Sequence, residues 1–381
     1  MKILHLLSGG GFGGIEILCR DLAKISRDRN EFCFLFSGGE IADEMKKDGI
    51  PVYFYWEKPF LNRIFQLWNL VRKEKYDAVI VHHEGLGIYL FFLILLYSFP
   101  SIRFIKYLHC AFEEKYFYTG KKIKDYLYYK VLEKILLKSC HIIAVSRFVK
   151  ESYCNEFKCD ADKITVIYNG INFCDDEKFV EKEIRTSETI KLLYVGRLVD
   201  VKGIQSLLNA VKQLLAEGEN IELNVLGDGE DRWKYEDFVR ENNIENKIFF
   251  RGYQMDKEPY YRENPIFVYP SVWQEAFGIS IVEALAKGLI CVAGKVGGIP
   301  EIIKDNQNGY LFEHHKNNDL VNVLKLAIEK HRNSYDADMR KAAYESAHIF
   351  DIYTTNAMLE RIIDTETRKV KDGKRNTLKE T

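Results

Sequence analysis

The sequence predicts an α/β protein built from two successive doubly wound units facing a central cleft. Three observations lead there. Short apolar runs of strand length alternate with longer amphipathic segments along most of the chain. The alternation lapses in a charged stretch near the middle and then restarts. Glycines follow several of the runs, as at Gly9, Gly196 and Gly227. Alternation on this scale indicates parallel sheets covered on both faces. A chain of 381 residues is long for one hydrophobic core, so two domains are expected.

In the first unit, Ile3–Leu7, Phe32–Phe36, Val52–Tyr55, Ala78–His82, Phe104–Leu108, Ile142–Val145 and Ile164–Ile167 read as strands. Helical patterns fill most gaps, including Ile15–Arg27, Phe60–Lys73 and Tyr126–Lys138. This gives a domain over 1–171. The stretch NFCDDEKFVEKEIRTSET loses its apolar periodicity and reads as a linker over 172–189. A second set of strands follows at Lys191–Val195, Ile221–Leu226, Lys247–Phe250, Ile266–Tyr269 and Ile290–Ala293, giving a domain over 190–349. A last apolar helix lies near 350–364, and the polar residues 365–381 read as a disordered tail.

Composition narrows the class. At 47% hydrophobic and 29% charged residues the chain is globular, and a net charge of −1 gives no overall pull toward nucleic acid. The eight cysteines form no Cys-x-x-Cys pair and no histidines stand at zinc spacing, so free thiols in a reducing cytosol are expected. The N-terminus enters a strand directly and lacks the features of a signal peptide. The apolar run Leu86–Tyr97 is short of the ~20 residues that span a bilayer and reads first as a buried helix and second as an interfacial one.

Gly9, Gly11 and Gly14 fit a dinucleotide-type glycine loop between strand and helix. The acidic residue that would grip a ribose at the end of the second strand is missing there, since that run closes on Ser37–Gly38–Gly39. An NAD site is therefore disfavoured. The loop keeps the physical capacity to bring backbone N–H groups to an anion, or it is a tight turn with nothing bound.

GRLVDVKG sets Arg197 just past a strand and Lys202 at the start of the next helix. Fixed cations there suit a diphosphate leaving group, whose charge grows as its bond to a sugar breaks. Downstream, Glu275 and Glu283 stand eight residues apart, slightly over two helical turns, on nearly one face. Carboxylates so placed suit sugar hydroxyls, and the pairing indicates sugar transfer from a nucleotide diphosphate. Two Asp-x-Asp strings, Asp160-Ala161-Asp162 and Asp336-Ala337-Asp338, read as solvated helix caps, so neither a metal nor another cofactor is expected.

These motifs resemble the family 4 glycosyltransferases, retaining enzymes of the GT-B fold with two Rossmann-like domains, of the type that builds bacterial surface polysaccharides. The resemblance is carried by GGIE at Gly13–Glu16, His109 in KYLHC, GRLVDVKG, VLGDGE at Val225–Glu230, Glu275 to Glu283, and VGGIPEII at Val296–Ile303. It implies an acceptor-binding N-terminal domain, completed by the last helix, and a C-terminal domain for the nucleotide sugar. Arg197 and Lys202 would bind the diphosphate. Glu275 would hold the donor sugar, helped by the Phe277 and Gly278 N–H groups, with Ala276 and Ile279 beside them. Glu283 would bond the ribose and Gly252–Tyr253 would flank the base. Gly13 and Gly14 would face the donor, and His109 would approach its sugar. His109, Glu275, Arg197 and Lys202 form the expected catalytic set. The family is thought to retain configuration by front-face attack, without a carboxylate nucleophile.

Between Arg103 and Lys138, Lys106, Lys115, Lys121, Lys122, Lys124, Lys130, Lys134 and Lys138 interleave with aromatic residues. That mixture suits an anionic membrane surface. The expectation is a cytoplasmic enzyme, peripheral on the inner face of the cell membrane, with a UDP-sugar as favoured donor and a lipid-linked saccharide acceptor. Alternative readings are a nucleotide-sugar epimerase or hydrolase on this scaffold, or a non-catalytic partner subunit.

Overall fold

The computed structural model describes residues 1–112, 122–173 and 189–377, with side chains to Thr367. The chain divides into two units, Met1–Asn172 together with the C-terminal helix, and Phe173–Asp351. Most of the sequence-predicted linker, residues 174–188, lies outside the described residues.

In the first unit, β1 (Lys2–Leu7), β2 (Arg29–Phe34), β3 (Val52–Phe54), β4 (Ala78–Val81), β5 (Arg103–Leu108), β6 (His141–Ala144) and β7 (Ile164–Val166) pair in parallel, in the order β3-β2-β1-β4-β5-β6-β7. The helices between them are α1 (Gly14–Ile25), α2 (Glu40–Lys47), α3 (Phe60–Glu74), α4 (Leu86–Ser98), α5 (Lys122–Lys138) and α6 (Arg147–Phe157). Central strands such as AVIV of β4 are buried at every position, because helices cover both faces. The strand expected to reach Phe36 stops at Phe34, where the chain bends toward the Gly38–Gly39 turn.

In the second unit, β8 (Ile190–Val195), β9 (Ile221–Leu226), β10 (Ile248–Gly252), β11 (Ile266–Tyr269), β12 (Ile290–Gly294) and β13 (Tyr310–Phe312) form a parallel sheet ordered β10-β9-β8-β11-β12-β13. Its helices are α7 (Ile204–Ala216), α8 (Arg232–Glu241), α9 (Glu258–Glu263), α10 (Ile279–Ala286), α11 (Ile299–Ile302), α12 (Asp319–Arg332) and α13 (Ala337–Ala347). Leu192, Tyr194, Val225, Val268 and Val292 from the strands pack with Leu207, Leu208 and Val211 of α7 in one buried core.

The strand order reverses between β1 and β4 in the first sheet and between β8 and β11 in the second. At such points neighbouring loops diverge and leave a crevice beyond the carboxyl ends of the strands. Lys202 follows β8 and Glu275 follows β11, one on each side of the second of these points.

The last helix, α14 (Ile352–Thr377), returns to the first unit and packs on α1 and β5. It runs well past residue 364, into residues read from sequence as a disordered tail. Ile363 and Glu366, one turn apart, are both buried against the unit, and that inward face carries the helix onward. The Leu86 run is the helix α4, with Ile88, Tyr89, Phe91, Phe92 and Leu95 buried. Among the described residues no helix is long and apolar enough to cross a membrane.

Candidate active site

The second unit assembles its crevice from loops that bond to one another. Gly196 N–H donates to Leu226 O (3.0 Å), Leu198 N–H to Asp228 O (3.0 Å) and Gly227 N–H to Gly252 O (2.8 Å), so the loops after β8, β9 and β10 act as one platform. Gly227 has φ +127°, and a Cβ there would run into the Gly196 carbonyl oxygen. Across the switch point Val272 N–H donates to Val201 O at 3.2 Å, tying the β8 loop to the β11 loop. A short 3-10 turn, Asp200–Lys202, carries Lys202. Asp200 accepts from Lys234 (2.5 Å) and Tyr235 (3.1 Å), and the lysine bond holds its carboxyl below the usual range.

Lys202 and Glu275 meet over this platform. Lys202 Nζ donates to Glu275 Oε1 at 2.6 Å and to the Tyr269 hydroxyl at 3.1 Å. Ser271 Oγ donates to the same carboxylate oxygen at 2.5 Å. An ammonium has three donors, so one remains for an incoming anion. Burial, with Glu275 close by, raises the Tyr269 phenol well above its usual range and keeps it neutral. Arg197 is exposed next to this pair, and its guanidinium makes no hydrogen bond or ion pair among the described residues. Tyr194 OH fixes the backbone below it by donating to Arg197 O at 2.9 Å.

Glu275 is also held from behind. Its carbonyl accepts from Gly298 N–H at 2.7 Å, and Gly297 N–H bonds Gln274 Oε1 at 2.9 Å, so the VGGIP loop braces the glutamate loop. Ala276 follows at partial exposure, while the Phe277 ring is buried edge-on to Phe350. Gly278, at φ +122°, immediately precedes α10, which has no side-chain cap, and Ile279 is its first residue. About one turn along, Glu283 takes both carboxylate oxygens to Lys257 Nζ (2.6 and 2.5 Å) and accepts from Tyr261 OH at 2.7 Å. Gly252, expected just beyond its strand, is the last residue of β10 at φ +69°, and Tyr253 is half exposed after it.

In the first unit Gly13 precedes α1 and Gly14 opens it. The Glu16 carboxylate folds back over Gly13, where a Cβ would collide with it, and it pairs with His83 at 3.2 Å. His109, just past β5, is buried and bonds His82 through Nε2 at 3.0 Å. Two expectations are corrected. Lys106 is not on a basic surface: it is fully buried, donating to the His82, His83 and Tyr107 carbonyls and pairing with Glu84 at 3.1 Å. Asp336 is not a solvated cap: it is buried and bonds His331 at 2.7 Å. Asp160 does cap, accepting from Asp162 N–H. Lys115 and Lys121 lie outside the described residues. Ser271, Tyr269, Lys257 and Tyr261 were not singled out from sequence. An apolar strand ending in Tyr269 and closed by Pro-Ser gave the one available hint of the first two.

Comparison with known proteins agrees with this architecture. Residues 12–173 match the model described as Glycosyltransferase Family 4, and residues 175–346 match Glycosyl transferases group 1. An uncharacterised glycosyltransferase of Methanocaldococcus jannaschii is 30% identical over 81% of this chain and 83% of its own. A UDP-Gal:alpha-D-GlcNAc-diphosphoundecaprenol alpha-1,3-galactosyltransferase of Escherichia coli is 28% identical, covering 69% of each chain. The crystal structure of Anabaena HepE with UDP and glucose superposes with a TM-score of 0.80 at 20% identity, covering 96% of this chain and all of that one. The chain belongs to the family 4 glycosyltransferases, and its fold is GT-B.

Proposed function

We propose that the protein is a retaining, metal-independent hexosyltransferase that moves a sugar from a nucleotide diphosphate, UDP favoured, to a lipid-linked saccharide in surface-polysaccharide assembly. The observation that carries this reading is the Lys202–Glu275 pair beside the free guanidinium of Arg197 at the switch point of the second sheet. Arg197 and the remaining Lys202 donor would bind the diphosphate and gain strength as charge collects on the leaving oxygen. Glu275 would fix hydroxyls of the sugar, and Glu283, oriented by Lys257 and Tyr261, the ribose. In front-face transfer the leaving phosphate oxygen takes the acceptor's proton, so no protein nucleophile is needed. UDP and a lipid diphosphate acceptor are favoured because related proteins are named for, or solved with, such molecules.

Docking on an anionic membrane surface belongs to the same proposal. Ile123, Tyr126 and Leu127 of α5 are exposed among Lys122 and Lys124, and Leu61 and Phe65 of α3 are exposed in the same unit. Flotation with anionic vesicles at physiological salt tests it. Binding that weakens in Ile123→Glu supports docking, and no binding by the wild type defeats it.

Incubation with labelled nucleotide sugars, with and without a membrane extract, tests the reaction. Nucleotide release that depends on the extract is expected. Free sugar or an epimer without acceptor, or silence across UDP-, GDP- and ADP-sugars, contradicts it.

A further inference from the structure

Three histidines from three neighbouring strands form one hydrogen-bonded row in the first unit. His5 lies within β1, while His82 and His109 directly follow β4 and β5. His5 Nδ1 is 2.9 Å from His82 Nε2, and His82 Nδ1 is 3.0 Å from His109 Nε2. At the far end His5 Nε2 is 2.8 Å from Asn30 Oδ1. The rings stack with their neighbours at centroid distances of 5.1 and 5.3 Å.

The direction of this row is fixed by one amide. Asn30 Nδ2 donates to the Asp28 carbonyl at 3.1 Å, so the atom turned to His5 is the oxygen, which only accepts. His5 must therefore carry its proton on Nε2. Burial lowers the pKa of His5 to about 4 and those of His82 and His109 well below the usual range, so all three rings are neutral near pH 7. A neutral ring has one N–H. His5 Nδ1 is then an acceptor, His82 Nε2 donates to it, His82 Nδ1 accepts from His109 Nε2, and His109 Nδ1 is left as a lone pair. That nitrogen has no hydrogen-bond partner among the described residues.

We infer that Asn30, acting through His5 and His82, sets the tautomer of His109 so that its Nδ1 accepts a hydrogen bond from a hydroxyl of the bound substrate. The inference rests on the role that the family resemblance implies for His109, beside the donor sugar, and adds its polarity. Asn30, His5 and His82 are positioning residues. His109 selects a substrate group that bears a proton, and a deoxy or carboxylate group at that position is discriminated against. The ammonium of Lys106 reinforces this, because its charge disfavours an imidazolium at His109 while its own donors go to carbonyls and Glu84.

His5, Cys19 and His82 are also the one group among the described residues whose ligand-type atoms lie close enough to share an ion, within 4.8 Å. A bound ion would consume the lone pairs on which the row depends. The N···N line between the rings is instead a hydrogen bond, and burial holds the Cys19 thiol protonated.

Side-chain 15N NMR of the full-length wild type, labelled at histidine, reads the tautomers directly. The expected result is Nε2–H at His5, His82 and His109 near pH 7. Nδ1–H or a protonated ring at His109, or stoichiometric metal in the purified protein, overturns the inference. Kinetics give a second arm: kcat in Asn30→Ala should fall about ten-fold, and the double variant with His109→Ala should be no worse than His109→Ala alone. Additive losses would mean that Asn30 acts elsewhere, and the inference fails. Full activity in His109→Ala with the wild-type tautomers intact would instead remove the proposed role of His109 in the site.

Discussion

Lys202 Nζ stands 2.6 Å from Glu275 Oε1, with both side chains largely withdrawn from solvent. The cation proposed to bind phosphate and the carboxylate proposed to bind sugar are thus joined to each other. Such a pair holds each partner in place and leaves a costly buried charge when one is removed.

Lys202→Ala should therefore lose both stability and rate. Unfolding free energy should fall by about 3 kcal/mol, because Glu275 keeps only neutral donors, the hydroxyls of Ser271 and Tyr269. Turnover should fall about 100-fold or more. Urea titration and donor kinetics check the two losses separately.

Glu283 is oriented by Lys257 and Tyr261 rather than free on its helix. Tyr261→Phe should weaken nucleotide affinity a few-fold through one lost hydrogen bond, and Glu283→Gln about ten-fold or more, since a charged acceptor is lost. Calorimetric titration with UDP measures both. Equal, wild-type affinities would dissociate this carboxylate from the ribose.

The glycines flanking the two ends of α7 should differ sharply. Gly203, at φ +71°, lies where a Cβ would strike the Pro270 carbonyl oxygen. Gly218, at φ +91°, has nothing within 4 Å of that position. Gly218→Ala should cost about 1 kcal/mol, the backbone penalty alone. Gly203→Ala should cost about 3 kcal/mol or more and loosen the loop that carries Lys202. Thermal melts compare them.

Acid should destabilise the first unit through its histidines. His5 is neutral in the fold with a pKa near 4, while in the unfolded chain it protonates near the ordinary value of 6.5. The unfolded state thus binds the extra proton first, and stability is lost as pH falls from about 6.5 toward 4, by about 3 kcal/mol from this residue. His82 and His109 act in the same direction. Denaturation between pH 7 and 4 should show this slope, and His5→Gln should flatten it.

Much of this was legible because glycine and charge punctuate the strand ends. GRLVDVKG and the Glu275–Glu283 spacing name the crevice of the second sheet from sequence alone. What could not be read are partners supplied by strand order. Lys257 reaches Glu283 across 26 residues, Tyr269 meets Lys202 across 67, and Ser271 meets the Val201 carbonyl across 70. The histidine row exists only because β1, β4 and β5 are adjacent. Lys106 looked like surface charge because a lysine in an apolar strand gives no sign of the three carbonyls and one carboxylate that receive it. The continuation of α14 past residue 364 was hidden because the residues there are polar, with Glu366 the one that turns inward near Ile363 among those whose side chains are described.

The central claim is that Arg197 and Lys202 grip the second phosphate of the donor nucleotide. Calorimetric titration of UDP against UMP, in the wild type and in Arg197→Ala, tests it most directly. The wild type should prefer UDP by about ten-fold or more, and the variant should lose most of that preference while binding UMP as before. An unchanged preference for UDP in Arg197→Ala would contradict the claim.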